Sequence, residues 1–183
     1  PARRDLFKAY IVGLFGIGLL DLFGLTVPLL ALSLGASAIE IGGLVTARNA
    51  LPLIFSIHGG SLMDRLGTRR VMLYTTLGGA CAALLNPAIP WIAALFVVQI
   101  LTGIFMTFNW IVAQTLIAQI CRGDAVSLGR FNFVCRLVTV GAPIIACIIW
   151  DIGGAWPTFT MIAAWAFLMH LMVRFITPPP EES

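Results

Sequence analysis

Long apolar runs, broken at short intervals by glycine, proline, asparagine and charged residues, fill the chain almost from end to end. The runs predict six helices, at about Phe7 to Leu32, Ile41 to Leu62, Val71 to Leu85, Trp91 to Ile120, Leu128 to Trp150 and Trp156 to Ile176. Each approaches the ~20 apolar residues needed to cross a hydrocarbon core of ~30 Å, the third being short and the fourth long. The connectors are compact and carry turn formers: Gly35 to Ala38, Asp64 to Arg70, Asn86 to Pro90, Cys121 to Ser127, and Asp151 to Ala155. After them, Thr177 to Ser183 contains Pro178, Pro179 and Pro180 and cannot continue a helix. The expectation is an all-α membrane protein, with one six-helix bundle over residues 1–176 and a polar tail or linker start over 177–183.

Composition supports a bilayer rather than water as the main solvent. Hydrophobic residues make up 60% of the 183 positions and charged ones 10%, against roughly 25% charged in soluble domains. No room is left for a soluble domain. The first apolar run ends without a convincing signal-cleavage site and is expected to stay in the chain. The net charge of +3 is spread over short loops, so it reads as topology and not as a nucleic-acid surface. Arg3, Arg4, Lys8, Arg65, Arg69, Arg70, Arg122, Arg130 and Arg174 all fall on one side of the predicted bundle. The alternate connectors carry Glu40 and Asp151. The positive-inside rule then places both termini in the cytoplasm, in an inner or plasma membrane whose lipid surrounds the bundle.

Small residues are the expected helix-packing surface in lipid, and Gly13, Gly16 and Gly18, with Gly78 and Gly79, supply it. Pro28 and Pro143 permit bends, which suit a gate and a structural span equally. Cys81, Cys121, Cys135 and Cys147 show no metal-binding spacing and read as small buried hydrophobes. His58 and His170 lack a carboxylate at helical spacing. No phosphate loop and no nucleophile with its base can be assembled, so neither enzyme chemistry nor a metal or cofactor is expected.

Three charges remain inside the predicted spans: Asp21, Arg48 and Arg136. Each costs ~2.5 to 3.5 kcal/mol at mid-membrane, so such residues pair or line a wet cavity. Asp21 and Arg48 lie at depths of roughly 16 and 10 Å from the connector that joins their spans, a difference an arginine can bridge. A buried ion pair that only fixes helix register stands beside the functional reading. Arg136 has no acid at its depth in the last three spans, and Asn132 and Thr139 share its face. Arg136 therefore shares Asp21 or faces water and an anionic group. Gln99, Gly103, Met106 and Trp110 follow helical spacing, with Asn109 beside Trp110. They form either a solute-binding face or a set of interhelical hydrogen bonds.

The most specific stretch is Gly60-Ser61-Leu62-Met63-Asp64-Arg65-Leu66-Gly67-Thr68-Arg69-Arg70. It is a tight turn in which Gly67 allows positive φ and the arginines anchor the inner face. It resembles the G-x-x-x-D-R-x-G-R-R/K-R/K motif of the major facilitator superfamily, with Thr68 where arginine is usual. Leu25 to Leu30, Ser33 to Gly42 and Gly141-Ala142-Pro143 extend the likeness to the drug and proton antiporter branch. Where that branch carries arginine in an R-x-x-Q-G pattern, this chain has Gln99, so the likeness does not carry proton coupling.

The resemblance implies an N-terminal six-helix half made of two inverted three-helix repeats, about 7–88 and 91–176. A second half would complete it, whether a C-terminal half, a separate subunit or a second copy. It also implies that the first, second, fourth and fifth spans face the cavity. Asp21, Arg48, Asn109, Trp110, Asn132 and Arg136 are the candidate solute residues there, and Gly60, Asp64, Arg65, Gly67, Arg69 and Arg70 the gating loop. The implied activity is secondary transport of a small organic solute, with two arginines against one acid favouring an anionic group. The alternative is a non-transporting scaffold, assembly or lipid- or pigment-holding subunit of a larger membrane complex.

Overall fold

The computed structural model describes residues 3–50, 67–121 and 124–175, which are helical apart from short connectors. The helices are α1 (Arg3–Ser33), α2 (helical over 38–50), α3 (Thr68–Ala88), α4 (Ile92–Cys121), α5 (Ala125–Gly153) and α6 (Ala155–Arg174). Five of them, all but α2 over its described part, are long and apolar enough to cross a membrane.

The third helix is not short. It runs for 21 residues through Asn86 and Pro87, which the sequence reading placed in a connector. Asn86 Nδ2 donates to the Ala82 carbonyl one turn back, at 2.7 Å, so its amide is satisfied within the helix where a turn was expected. Likewise α5 passes through Asp151 and stops at Gly154, whose φ of 73° breaks the helix. Pro28, Pro87 and Pro143 all lie inside helices.

Helix α1 is the centre of the bundle and packs against α4, α5 and α6, while α3 packs against α4 and α6. Its glycines make this possible. A Cβ on Gly13 would stand 2.3 Å from the Phe131 ring of α5, and one on Gly18 would stand 2.9 Å from Trp165 of α6. With no hydrophobic gain between helices in lipid, such close approach replaces it with dispersion contact. Phe23, Phe131, Phe159 and Met169 fill the interior. Trp165 Nε1 donates to the Phe15 carbonyl at 3.0 Å, and Tyr10 donates to the Ser127 carbonyl. Cys121 and Cys135 are buried as expected, but Cys81 and Cys147 are exposed on the outside of α3 and α5.

The ends of two helices are set by local chemistry. Ser37 and Glu40 form a capping box, in which Ser37 N and Oγ donate to Glu40 Oε2 at 2.8 and 2.7 Å. These bonds, the backbone one foremost, hold the Glu40 carboxyl below its usual range. Asp124 caps α5, accepting from Val126 N and Ser127 N. The Ser127 side-chain hydroxyl, then the backbone donors, lower its carboxyl in the same way.

Candidate solute site

Asp21 on α1 and Arg48 on α2 are both half-buried. They do not bond to each other. The Arg48 Nη2 atom is 3.9 Å from where a Cβ on Gly24 would stand, and Gly24 is one turn beyond Asp21 on α1. Asp21 Oδ2 and Arg48 Nη1 are buried and have no hydrogen-bond partner among the described residues. The register-fixing ion pair is therefore not formed. Each side chain thus keeps a buried polar atom without a partner among the described residues, which is costly inside a span.

The position of Arg48 is fixed by its backbone. A Cβ on Gly103 of α4 would stand 1.9 Å from the Arg48 carbonyl oxygen, so only glycine permits α2 and α4 to meet there. The guanidinium is thus aimed at α1 by a helix crossing and not by a salt bridge.

Other sequence candidates divide. Asn109 is 1% exposed, and its Oδ1 accepts from Thr75 Oγ1 of α3 at 2.8 Å. Gln99 is wholly buried and donates through Nε2 to Asn86 Oδ1 at 2.7 Å. Both are interhelical bonds between α3 and α4, while the other amide atoms, Asn109 Nδ2 and Gln99 Oε1, are buried without a partner among the described residues. Trp110, next to Asn109, is half-buried. Asn132 and Arg136 are exposed on α5, and Arg136 meets neither Asp21 nor any other described acid. At 100° per residue, Asn132, Arg136 and Thr139 form one strip of α5, beside an apolar strip of Phe133, Leu137, Ile144 and Ile148, all at least 54% exposed. Thr139 Oγ1 is another buried atom with no described partner.

Of the loop motif, Gly60, Asp64 and Arg65 lie outside the described residues. Gly67 has the positive φ expected of it, 80°, and precedes α3. Arg70 is exposed, and Arg69 donates from Nη2 to the carbonyl of Arg174 at the end of α6. His58 also lies outside the described residues. His170 is buried in the α3 and α6 seam, with Nδ1 3.1 Å from both Thr76 Oγ1 and the Leu73 carbonyl.

Sequence reasoning missed Thr75 and Asn86 as the partners of Asn109 and Gln99, and the Gly103 contact that positions the Arg48 backbone.

The family model of the Major Facilitator Superfamily matches residues 9–183. The chain is similar to the enterobactin exporter EntS of Shigella dysenteriae serotype 1, 28% identical over 193 residues, covering 100% of this chain and 45% of that protein. The EntS proteins of Escherichia coli O1:K1 and of Citrobacter koseri are 27% and 26% identical, with the same shares covered. The chain therefore spans a little under half the length of these relatives.

Proposed function

The chain belongs to the major facilitator superfamily, a family of membrane transporters rather than enzymes, and we propose that it forms the six-helix half of a secondary transporter that exports a small organic solute. The half alternates access against a second six-helix half, and its own helices form two inverted repeats, α1 to α3 and α4 to α6. Both termini face the cytoplasm. The similarity to enterobactin exporters makes enterobactin the first solute to try.

The observation that carries this reading is the open pair, Asp21 Oδ2 and Arg48 Nη1, buried within α1 and α2 without partners among the described residues. A scaffold gains nothing from two uncompensated charges in its spans, whereas a transporter needs polar groups that bind and release. The strip of exposed Asn132 and Arg136 with half-buried Thr139 on α5 supplies the far wall of the same cavity, and Trp110 an aromatic surface. The apolar strip on α5 faces the second half. The loop residues Gly60, Asp64, Arg65, Gly67, Arg69 and Arg70 form the gate on the cytoplasmic side.

The test is uptake of labelled enterobactin into everted vesicles carrying the full-length transporter. Asp21→Asn and Arg136→Ala are each expected to lower the rate at least tenfold. Unaltered uptake in both variants would remove this site assignment.

A further inference from the structure

We propose that an anionic phospholipid of the surrounding bilayer docks on the outside of the α3 and α6 seam, with its phosphate held by Arg69, Arg70 and Arg174. The start of α3 and the end of α6 lie side by side, because Arg69 Nη2 donates to the Arg174 carbonyl. That contact uses one of the five N–H donors of the Arg69 guanidinium. Arg70 follows in the same turn, and the side chains of Arg70 and Arg174 are exposed and unbonded. The described acid side chains are engaged or remote. Glu40 and Asp124 cap α2 and α5, Asp21 lies within α1, and Asp151 stands near the start of α6, at the opposite end from Arg174. Three cations thus leave one end of the seam with no described carboxylate among them. Being long and exposed, they can close on a phosphate from whatever side it comes, at the depth where lipid headgroups lie.

The surface beyond the arginines fits acyl chains. From Arg70, exposed positions recur on α3 at Tyr74, Leu77, Cys81 and Leu84, and from Arg174 they recur on α6 at Phe167 and Ala164, both at helical spacing. The two strips begin at the same end because the helices run antiparallel. Arg174 meets Arg69, and His170 Nδ1 lies 3.1 Å from both the Leu73 carbonyl and Thr76 Oγ1, so the pairings advance in opposite senses. Phe167 stacks on His170 with ring centroids 6.2 Å apart, which holds its ring beside the seam. Tyr74 to Leu84 covers ~15 Å at 1.5 Å per residue, the depth of one leaflet of a ~30 Å core. Charge selects the headgroup. A zwitterionic lipid would bring an ammonium that finds no described carboxylate here, whereas an anionic one brings only charge that the arginines complement. Arg130 offers no such site, since Asp124 stands beside it at the start of α5. The proposal goes beyond the transporter reading and needs only that the bundle spans a bilayer.

Native mass spectrometry tests it on the full-length transporter, purified in a neutral detergent and offered equal amounts of dioleoyl phosphatidylglycerol and dioleoyl phosphatidylcholine. The glycerol lipid is expected to be retained roughly tenfold over the choline lipid. Arg70→Gln and Arg174→Gln should each lower that ratio roughly fivefold, while Arg70→Lys and Arg174→Lys keep most of it. Arg130→Gln removes an arginine from the same side of the bundle and should leave the ratio unchanged. Inorganic phosphate at the lipid's concentration should not displace it, because the apolar strips supply part of the binding. Equal retention of the two lipids, a ratio unmoved by Arg70→Gln and Arg174→Gln, an equal loss in Arg130→Gln, or displacement by inorganic phosphate would each overturn the proposal. Retention is read and not uptake, so failure of the transporter reading would leave this site standing.

Discussion

Gly103 and Arg48 meet backbone to side-chain position, with 1.9 Å between the place of a Cβ on Gly103 and the Arg48 carbonyl oxygen. Neither atom can yield without moving a helix. Gly103→Ala is therefore expected to destabilise the protein by about 1 to 3 kcal/mol, the usual cost of overpacking. Thermal unfolding of the purified transporter measures it, and an unchanged midpoint would show that α2 and α4 can separate freely.

Asn86 and Gln99 form a buried pair between α3 and α4. Replacing Gln99 by leucine leaves Asn86 Oδ1 unpaired, whereas replacing both removes the need. A double-mutant cycle with Asn86→Leu and Gln99→Leu should give a coupling of ~0.6 to 2 kcal/mol, the range for hydrogen bonds between membrane helices. Additive losses would mean that the two amides do not interact.

Asp124 is an N-cap whose carboxyl is lowered from its ordinary value of 3.8, chiefly by the Ser127 hydroxyl. A lowered folded value stabilises the fold above the ordinary carboxylate range and loses that contribution as pH falls through it. The stability difference between wild type and Asp124→Ala should be full at pH 7 and shrink toward zero in acid. A difference that grows in acid would contradict the assignment.

Arg69 reaches the last carbonyl of α6 across 105 positions of sequence. Its cation at a helix C-terminus is favourable, and loss of the bond should let the last turn fray. Arg69→Ala is expected to speed hydrogen exchange over Met172 to Arg174 several-fold, and Arg69→Lys less. Equal exchange in all three proteins would show that the contact contributes nothing.

The bundle was legible in the sequence because lipid imposes a simple rule: apolar runs of fixed length, with the charges outside. Helix ends were less legible where side chains intervene. Asn86-Pro87 has the composition of a turn, yet both residues lie inside α3, with the Asn86 amide bonding one turn back. The candidate site divided along the same line. Asp21, Arg48 and Arg136 stood out because a charge within a span needs a reason. Asn109 and Gln99 stood out equally, but helical spacing cannot tell which neighbour a face meets, and both face α3. Nor can sequence show that Arg48 reaches α1 beside Gly24, since that depends on where Gly103 lets α2 cross α4.

Alternating access at the α1 and α2 site is the central claim, and Gly24 offers the most direct probe of it, because a Cβ there has room, 3.9 Å from Arg48 Nη2. Gly24→Cys, in a full-length transporter with its native cysteines replaced, is labelled by a membrane-impermeant maleimide added to one side of sealed vesicles or the other. The account predicts labelling from each side, with enterobactin shifting the balance between them. Labelling from one side only, unmoved by enterobactin, would contradict it.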